Sequence, residues 1–293
     1  MARYHTVVFD CDGTLLDTLE DLAAAGNAVC AQHGWPTYTP EQYKRKVGNG
    51  QLMLARRLMP PMTASNARAV AQVCDEFSAY YAEHKGDHTA PYPGILEALD
   101  RLRSAGVRLA VLTNKNDAPA QELVRGFFGE RFGCVQGRTD AMPPKPAPAM
   151  MRAALGRLGV EPEVLASLGP RPATSAGAGV ATTAAGAAGT GTDGVGISAV
   201  AQASASGETP AEAGADAGVG APSEASPNPL AGFLMVGDSD VDIQVGRNVG
   251  MDTCGVLWGF RDRAELEHAG ATHIAAAPAD LVAIVLGTDG PAA

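Results

Sequence analysis

Short apolar segments that stop abruptly in polar residues, alternating with helical stretches, constrain this chain most. Residues 4–9 are β-branched and apolar and end at Asp10-Cys11-Asp12-Gly13, a buried strand delivering a polar turn. From Pro91-Tyr92-Pro93-Gly94 onward the rhythm is regular. A helix over 95–105 precedes a strand over 107–112 that ends in Thr113-Asn114-Lys115. Helices over 118–128 and 147–158 follow, then a strand over 232–236 ending at Gly237-Asp238. A helix over 241–249, a strand over 253–257 and a helix over 278–286 complete the pattern. Repeated strand–helix units imply an α/β fold with a mainly parallel sheet and helices on both faces.

Between the first strand and this alternation, residues 19–81 are mostly helical. Thr39-Pro40-Glu41-Gln42 starts one helix, with a capping Thr, Pro at the first helical position and Gln to close a capping box. Thr63 begins another helix that runs to His84. The expected organisation is a discontinuous core, 1–18 and 91–293, interrupted by a helical domain over 19–90. Residues 168–229 differ in kind: Ala, Gly, Ser and Thr dominate, with several Pro, one Arg and no aromatic residue. Such a stretch buries too little apolar surface to offset its ordering entropy, and reads as a disordered insertion. It joins a helix to the strand leading to Asp238, at the amino ends of the strands and away from the ligand crevice. An inert linker is therefore favoured over a lid.

A formal net charge of −10 argues against a nucleic-acid binder, which needs a basic face. The five cysteines are scattered and form no Cys-x-x-Cys pair, which suits reduced thiols in the cytoplasm. Residues 1–9 are too short an apolar run for a signal peptide, and no stretch approaches a membrane span. The expectation is a cytoplasmic protein with neither nucleic acid nor membrane as partner.

Four polar clusters lie at or just downstream of strand ends: Asp10 with Asp12, Thr113-Asn114-Lys115, Lys145, and Asp238 with Asp242. In a parallel sheet these ends converge on one crevice. Carboxylates gathered there repel one another unless a cation sits among them. Oxygen donors without His or Cys favour Mg²⁺. Any one of these groups alone reads equally as a helix cap or turn residue; Asp238-Ser239, for instance, is an ordinary N-cap signal.

Together, Asp10-Cys11-Asp12-Gly13-Thr14-Leu15-Leu16-Asp17, Thr113, Lys145 before Pro146, and Gly237-Asp238-Ser239-Asp240-Val241-Asp242 resemble the haloacid dehalogenase superfamily, in its phosphatase branch. The resemblance implies a Rossmann-like core with an inserted helical cap. It implies that Asp10 attacks phosphorus and carries the phosphoryl group, and that Asp12 serves as general acid and then base. Thr113, with backbone N–H groups around Cys11, Asp12 and Asn114, would hold phosphoryl oxygens, and Lys145 would offset charge there. Asp10, the Asp12 carbonyl and Asp238 would bind Mg²⁺, with Asp242 completing or orienting that shell. Gly13 would let the backbone turn close to the phosphate. An acid at Asp12 separates this pattern from the dehalogenase branch, whose halide leaves unprotonated.

Val47-Gly48-Asn49-Gly50, Pro91-Tyr92-Pro93-Gly94 with Thr113-Asn114-Lys115, and Gly255-Val256-Leu257-Trp258-Gly259-Phe260 resemble the phosphoglycolate phosphatase group. The resemblance points to hydrolysis of a small phosphomonoester, with 2-phosphoglycolate the leading candidate. A phosphosugar mutase of the same superfamily and a non-catalytic phosphate-binding scaffold are the alternatives. Gly48 and Gly50 read equally as a loop entering the crevice or as an ordinary interhelical turn. Cys11 reads as a small side chain turned into the core, and Lys44, Arg45 and Arg57 as solvated helix charges. Monomer and homodimer both stay open.

Overall fold

The computed structural model describes residues 2–169 and 228–288. The chain opens with β1 (Thr6–Phe9) and β2 (Leu16–Asp17), followed by five helices: α1 (Leu19–Gln32), α2 (Pro40–Lys44), α3 (Gln51–Leu58), α4 (Pro61–Ala64) and α5 (Ala67–His84). It returns through β3 (Ala90–Pro91), α6 (Ile95–Ser104), β4 (Arg108–Asn116), α7 (Asp117–Phe128), β5 (Cys134–Arg138), α8 (Ala149–Arg157) and α9 (Pro162–Ser167). Then come β6 (Phe233–Gly237), α10 (Asp240–Asn248), β7 (Asp252–Val256), α11 (Arg263–His268), β8 (His273–Ala275) and α12 (Pro278–Leu286).

Six strands form one parallel sheet in the order β5-β4-β1-β6-β7-β8. A sheet covered on both faces needs apolar side chains at every strand position, alternating between two cores. β1 does this: Val7 and Phe9 enter one apolar cluster, and Val8 enters the other. β4 and β6 repeat the parity, with Leu109, Val111, Leu234 and Val236 on the first side and Ala110, Leu112 and Met235 on the second. Fully burying each of the larger side chains contributes about 1.5–3 kcal/mol. The sheet is the Rossmann-like α/β core expected from the strand–helix rhythm.

The intervening helices pack around a cluster of their own, including Leu22, Val29, Tyr43, Leu54, Val70 and Phe77. They enter and leave the core through antiparallel β2 and β3. Thr39 and Gln42 form the expected capping box at α2. The helix expected from Thr63 is interrupted, because Asn66 turns extended and its side chain caps the N–H groups of Arg68 and Ala69. Besides the two-residue β2 and β3, two strands of the parallel sheet were not expected from the sequence: β5, whose Gln136 and Gly137 break an apolar run, and the three-residue β8.

Most of the stretch read as a disordered insertion, residues 170–227, lies outside the described residues. Leu168 and Leu230, on either side of it, are both buried in the second apolar cluster.

Asp21 on α1 clips the helical block to its return strand. Its buried carboxylate accepts from the backbone N–H groups of His88 and Thr89 and from the Thr89 hydroxyl. Replacing Asp21 with Ala orphans three donors at the junction. The expected cost is about 1–3 kcal/mol, read as a lower urea midpoint; an unchanged midpoint would mean the junction does not depend on the clip.

Candidate active site

β1 lies at the centre of the sheet, with β4 and β6 on either side. The carboxyl ends of these three strands therefore open onto one crevice. Asp10 follows β1 directly, and Asp238 follows β6. The end of β4 carries a register irregularity against β5 between Leu112 and Asn116, and such a bulge re-aims side chains. Thr113, Asn114 and Lys115 occupy it.

The expected residues converge. Lys145 is buried, with Nζ 2.8 Å from Asp10, 2.6 Å from Asp242 and 2.9 Å from the Leu112 carbonyl. Burial alone would lower its ammonium, but Asp10 and Asp242 outweigh this and hold it above its ordinary value. The other Asp242 oxygen accepts from the Ser239 N–H and hydroxyl, so this carboxylate both orients Lys145 and braces the start of α10. Asn114 is committed as well. Its side chain accepts from the Lys145 N–H at 2.8 Å and donates to the Lys145 carbonyl and to the Gly48 carbonyl. Thr113 is buried, lines the crevice, and accepts from the Lys115 N–H.

Asp10, Asp238 and Asp242 are all buried and offer carboxylate oxygens within 4.8 Å of one another. Burial, and then the charge of Asp242, pushes the Asp10 carboxyl up despite Lys145. Burial, with Asp242 and Asp10, raises Asp238 well above the usual carboxylate range. Such a crowd of hard oxygen donors, with no soft ligand among them, fits Mg²⁺. Asp238 is otherwise held by neutral donors, the Thr14 hydroxyl at 3.1 Å and the Phe260 N–H at 2.8 Å.

Glycines let the backbone close around these acids. Gly13 has φ +83°, and a Cβ there would lie 2.4 Å from an Asp238 oxygen. Gly259 is as tight, since a Cβ would meet the Asp238 Cβ at 2.3 Å and the Gly13 carbonyl at 2.4 Å.

Asp12 is more exposed than Asp10, and with Asp10 it lines a cavity of about 490 Å³ between the sheet and the helical block. Its carboxylate receives Lys115 Nζ at 2.9 and 3.0 Å, and the same ammonium sits 4.7 Å from the Tyr81 ring centroid on α5. Burial would lower Lys115, but Asp12, followed by Tyr81 and Cys11, raises it above its ordinary value. Sequence reasoning quoted Lys115 without giving it a role. No local signal gave it one, because the register irregularity between Leu112 and Asn116 removes the two-residue alternation that would place it beside Thr113.

The loop of Gly48 and Gly50 does enter the crevice. The Gly48 carbonyl takes the Asn114 amide, and a Cβ on Gly50 would stand 3.3 Å from the Asn114 carbonyl. Arg57 holds the same loop through the Lys46 carbonyl and the Asn49 side chain, while Lys44 pairs with Glu41. Arg261 donates to the Lys44 and Val47 carbonyls, and the Phe260 side chain joins the apolar cluster of the helical block. Neither contact was foreseen. Cys11 is buried in the core beneath the sheet, and burial followed by Asp12 raises its thiol. Among the described residues, no helix is long and apolar enough to cross a membrane.

Gly259→Ala is expected to destabilise the chain by about 1–3 kcal/mol through overpacking against Asp238. Urea denaturation reads this directly, and an unshifted midpoint would show that the loop gives way without displacing the acid.

Two family profiles match the chain: haloacid dehalogenase-like hydrolase over residues 4–169, and HAD-hydrolase-like over 209–284. The phosphoglycolate phosphatase of Chromobacterium violaceum is 33% identical over 174 residues, which are 58% of this chain and 78% of that protein. That of Neisseria meningitidis serogroup A is 32% identical over 162 residues, 54% of this chain and 68% of the relative. A crystal structure from Lactobacillus delbrueckii subsp. bulgaricus, provisionally named a phosphoglycolate phosphatase, has a TM-score of 0.69. It is 27% identical and covers 97% of this chain and 99% of its own. With one profile spanning more than half of its length, on a matching parallel sheet, the chain belongs to the haloacid dehalogenase-like hydrolases, in their phosphatase branch.

Proposed function

We propose that the chain hydrolyses a small phosphomonoester through a phosphorylated Asp10, with 2-phosphoglycolate the leading substrate. One observation carries the reading: two carboxylates two residues apart on one cavity pair with different lysines and differ in burial. Asp10 is the more deeply buried and is held by Lys145, while the less buried Asp12 is held by Lys115. The first suits a nucleophile and the second a proton carrier.

In the first step an Asp10 oxygen bonds to phosphorus as the bond to the leaving oxygen breaks. The Asp12 carboxyl gives that oxygen its proton. In the second step Asp12 takes a proton from water, whose oxygen bonds to phosphorus and releases phosphate from Asp10. Lys145 offsets charge on Asp10 and on the phosphoryl oxygens, and Thr113 with the backbone N–H groups around Cys11, Asp12 and Asn114 would hold those oxygens. Asp10, the Asp12 carbonyl and Asp238 would hold Mg²⁺, with Asp242 serving chiefly to orient Lys145. When bound, the cation would supply charge stabilisation for the transferring phosphoryl group. The division into a core over 1–18 and 91–293 and a cap over 19–90 belongs to the same proposal: the cap would close over the ester and exclude water.

The names of the relatives support phosphoglycolate. The cavity volume supports a second reading, a larger phosphomonoester, because 490 Å³ exceeds what a two-carbon ester fills. A phosphate-release screen with Mg²⁺ over two-carbon, three-carbon and sugar phosphates separates the two. Asp10→Asn is expected to lower kcat by a factor on the order of 10³ or more; near-wild-type turnover would eliminate the covalent route.

Mg²⁺ is further expected to raise Tm, by about 5–10 °C at a hundredfold excess over Kd. The gain should be larger at pH 8 than at pH 5. Because Asp10 and Asp238 are raised, the folded chain holds their protons more tightly than the unfolded chain does. The metal-free protein therefore loses stability as pH rises through that window, and the cation competes best where the protons have left. Thermal melts at the two pH values check this, and a gain that shrinks with pH would contradict the ligand set.

A further inference from the structure

The cavity walls are largely apolar, with Leu22, Val47, Leu54, Phe77 and Tyr81 facing the sheet. Its charged lining consists of Asp10, Asp12 and Glu122 against Lys85 and Lys115. Lys85 is tied to Glu122 at 3.1 Å and to the Ala82 carbonyl at 2.8 Å. Lys115 is different. Its side chain is only 5% exposed, stands beside Asp12 and touches the cap through Tyr81. A buried ammonium is costly unless its hydrogens are used. Of its three donors, two go to the Asp12 oxygens. The Tyr81 ring, 4.7 Å away at its centroid, is an electrostatic neighbour rather than a hydrogen-bond acceptor, so one hydrogen is left for a ligand in the cavity that Lys115 lines.

We propose that Lys115 is the subsite for a second anionic group on the substrate's leaving portion, a carboxylate one carbon removed from the ester carbon. This deepens the phosphomonoesterase reading and rests on it. Asp12 marks where the leaving oxygen must lie, since it gives that oxygen its proton. Lys115 Nζ is 2.9 Å from Asp12 and is thus a neighbour of the same oxygen. In a 2-phosphocarboxylate the carboxylate oxygens lie about 3–4 Å from the ester oxygen, given ordinary bond lengths. That distance brings them to the ammonium without moving the backbone. Without Lys115, a carboxylate there would face Asp10, Asp12 and the bound phosphoryl group, and like charges at such range repel strongly. A longer ester would carry its second charge past Lys115 toward Lys85.

The test compares two esters of the same length, 2-phosphoglycolate and 2-hydroxyethyl phosphate, on wild type, Lys115→Met and Lys115→Gln with saturating Mg²⁺. Circular dichroism verifies that each variant folds, and two replacements guard against one that does not. Wild type is expected to prefer the carboxylate ester in kcat/KM. In the variants that preference should fall at least tenfold, mainly through KM, and inhibition by the product glycolate should weaken in step. Equal losses for both esters would overturn the subsite and leave Lys115 acting only on Asp12. Wild type that turns over the neutral ester but not the carboxylate would overturn it too, with the phosphatase reading intact. Wild type that hydrolyses neither, nor any other phosphomonoester, would overturn both.

Discussion

One buried ammonium organises the site. Lys145 meets Asp10 from the end of β1, Asp242 from the first turn of α10 and the Leu112 carbonyl from β4. Three elements that share no local sequence are drawn to one point. Its backbone is fixed as firmly, because the Asn114 side chain grips both its N–H and its carbonyl. Removing one partner of such a buried pair typically costs about 3–5 kcal/mol, which makes these groups structural as well as chemical. The orientation of Asp10 is thus set by the same contacts that close the sheet's carboxyl edge.

From that point the contacts run outward into the helical block. Asn114, holding Lys145, also reaches the Gly48 carbonyl; Asn116 donates to Gln51 at the start of α3. On the opposite side Phe260 gives its N–H to Asp238 and its ring to the block's apolar cluster, while Arg261 takes two carbonyls of the α2–α3 loop. The acids and the cap loop therefore share donors directly. A cap displaced from this position would break bonds made by residues one step from Asp10 and Asp238. Seating the cap and shaping the site are one set of hydrogen bonds.

Much of this was legible because parallel strands buried on both faces write themselves as mostly apolar runs that end in polar residues. Residues 4–9, 107–112 and 232–236 are such runs, and Asp10, Thr113 and Asp238 fall where they end. β5 and β8 escaped because Gln136 and Gly137 interrupt one and the other has three residues, too few for any period. The break at Asn66 escaped because the apolar spacing continues across it, and only the side-chain cap marks the new start. Among the site groups, Lys145 was legible as a polar group downstream of a strand end, but its role came from the family pattern rather than from its local sequence. Lys115 and Gly259 depend on distances between segments far apart in the chain, Asp12 to Lys115 and Gly13 to Gly259, which no local pattern carries.

The net charge of −10 posed the physical difficulty for a protein that must admit phosphate esters, and the site resolves it locally. Each carboxylate assigned chemical work has its own lysine: Lys145 for Asp10 and Lys115 for Asp12. Asp238 has only neutral donors, and Asp242 shares Lys145 with Asp10. Four carboxylates against two ammonium groups leave a deficit of two charges, which one divalent cation would fill. Bulk composition is irrelevant on this scale, because surface charges beyond roughly 8–10 Å are screened at ordinary salt whereas buried pairs are not. With such a cation in place, a second anion on the substrate would gain its attraction from whichever lysine has a hydrogen to spare. Lys145 is enclosed by Asp10, Asp242 and the Leu112 carbonyl, whereas Lys115 lines the cavity. On the proposed subsite, the same arrangement that makes an acidic chain compatible with phosphate would also bias it toward esters that carry a further negative charge beside the leaving oxygen.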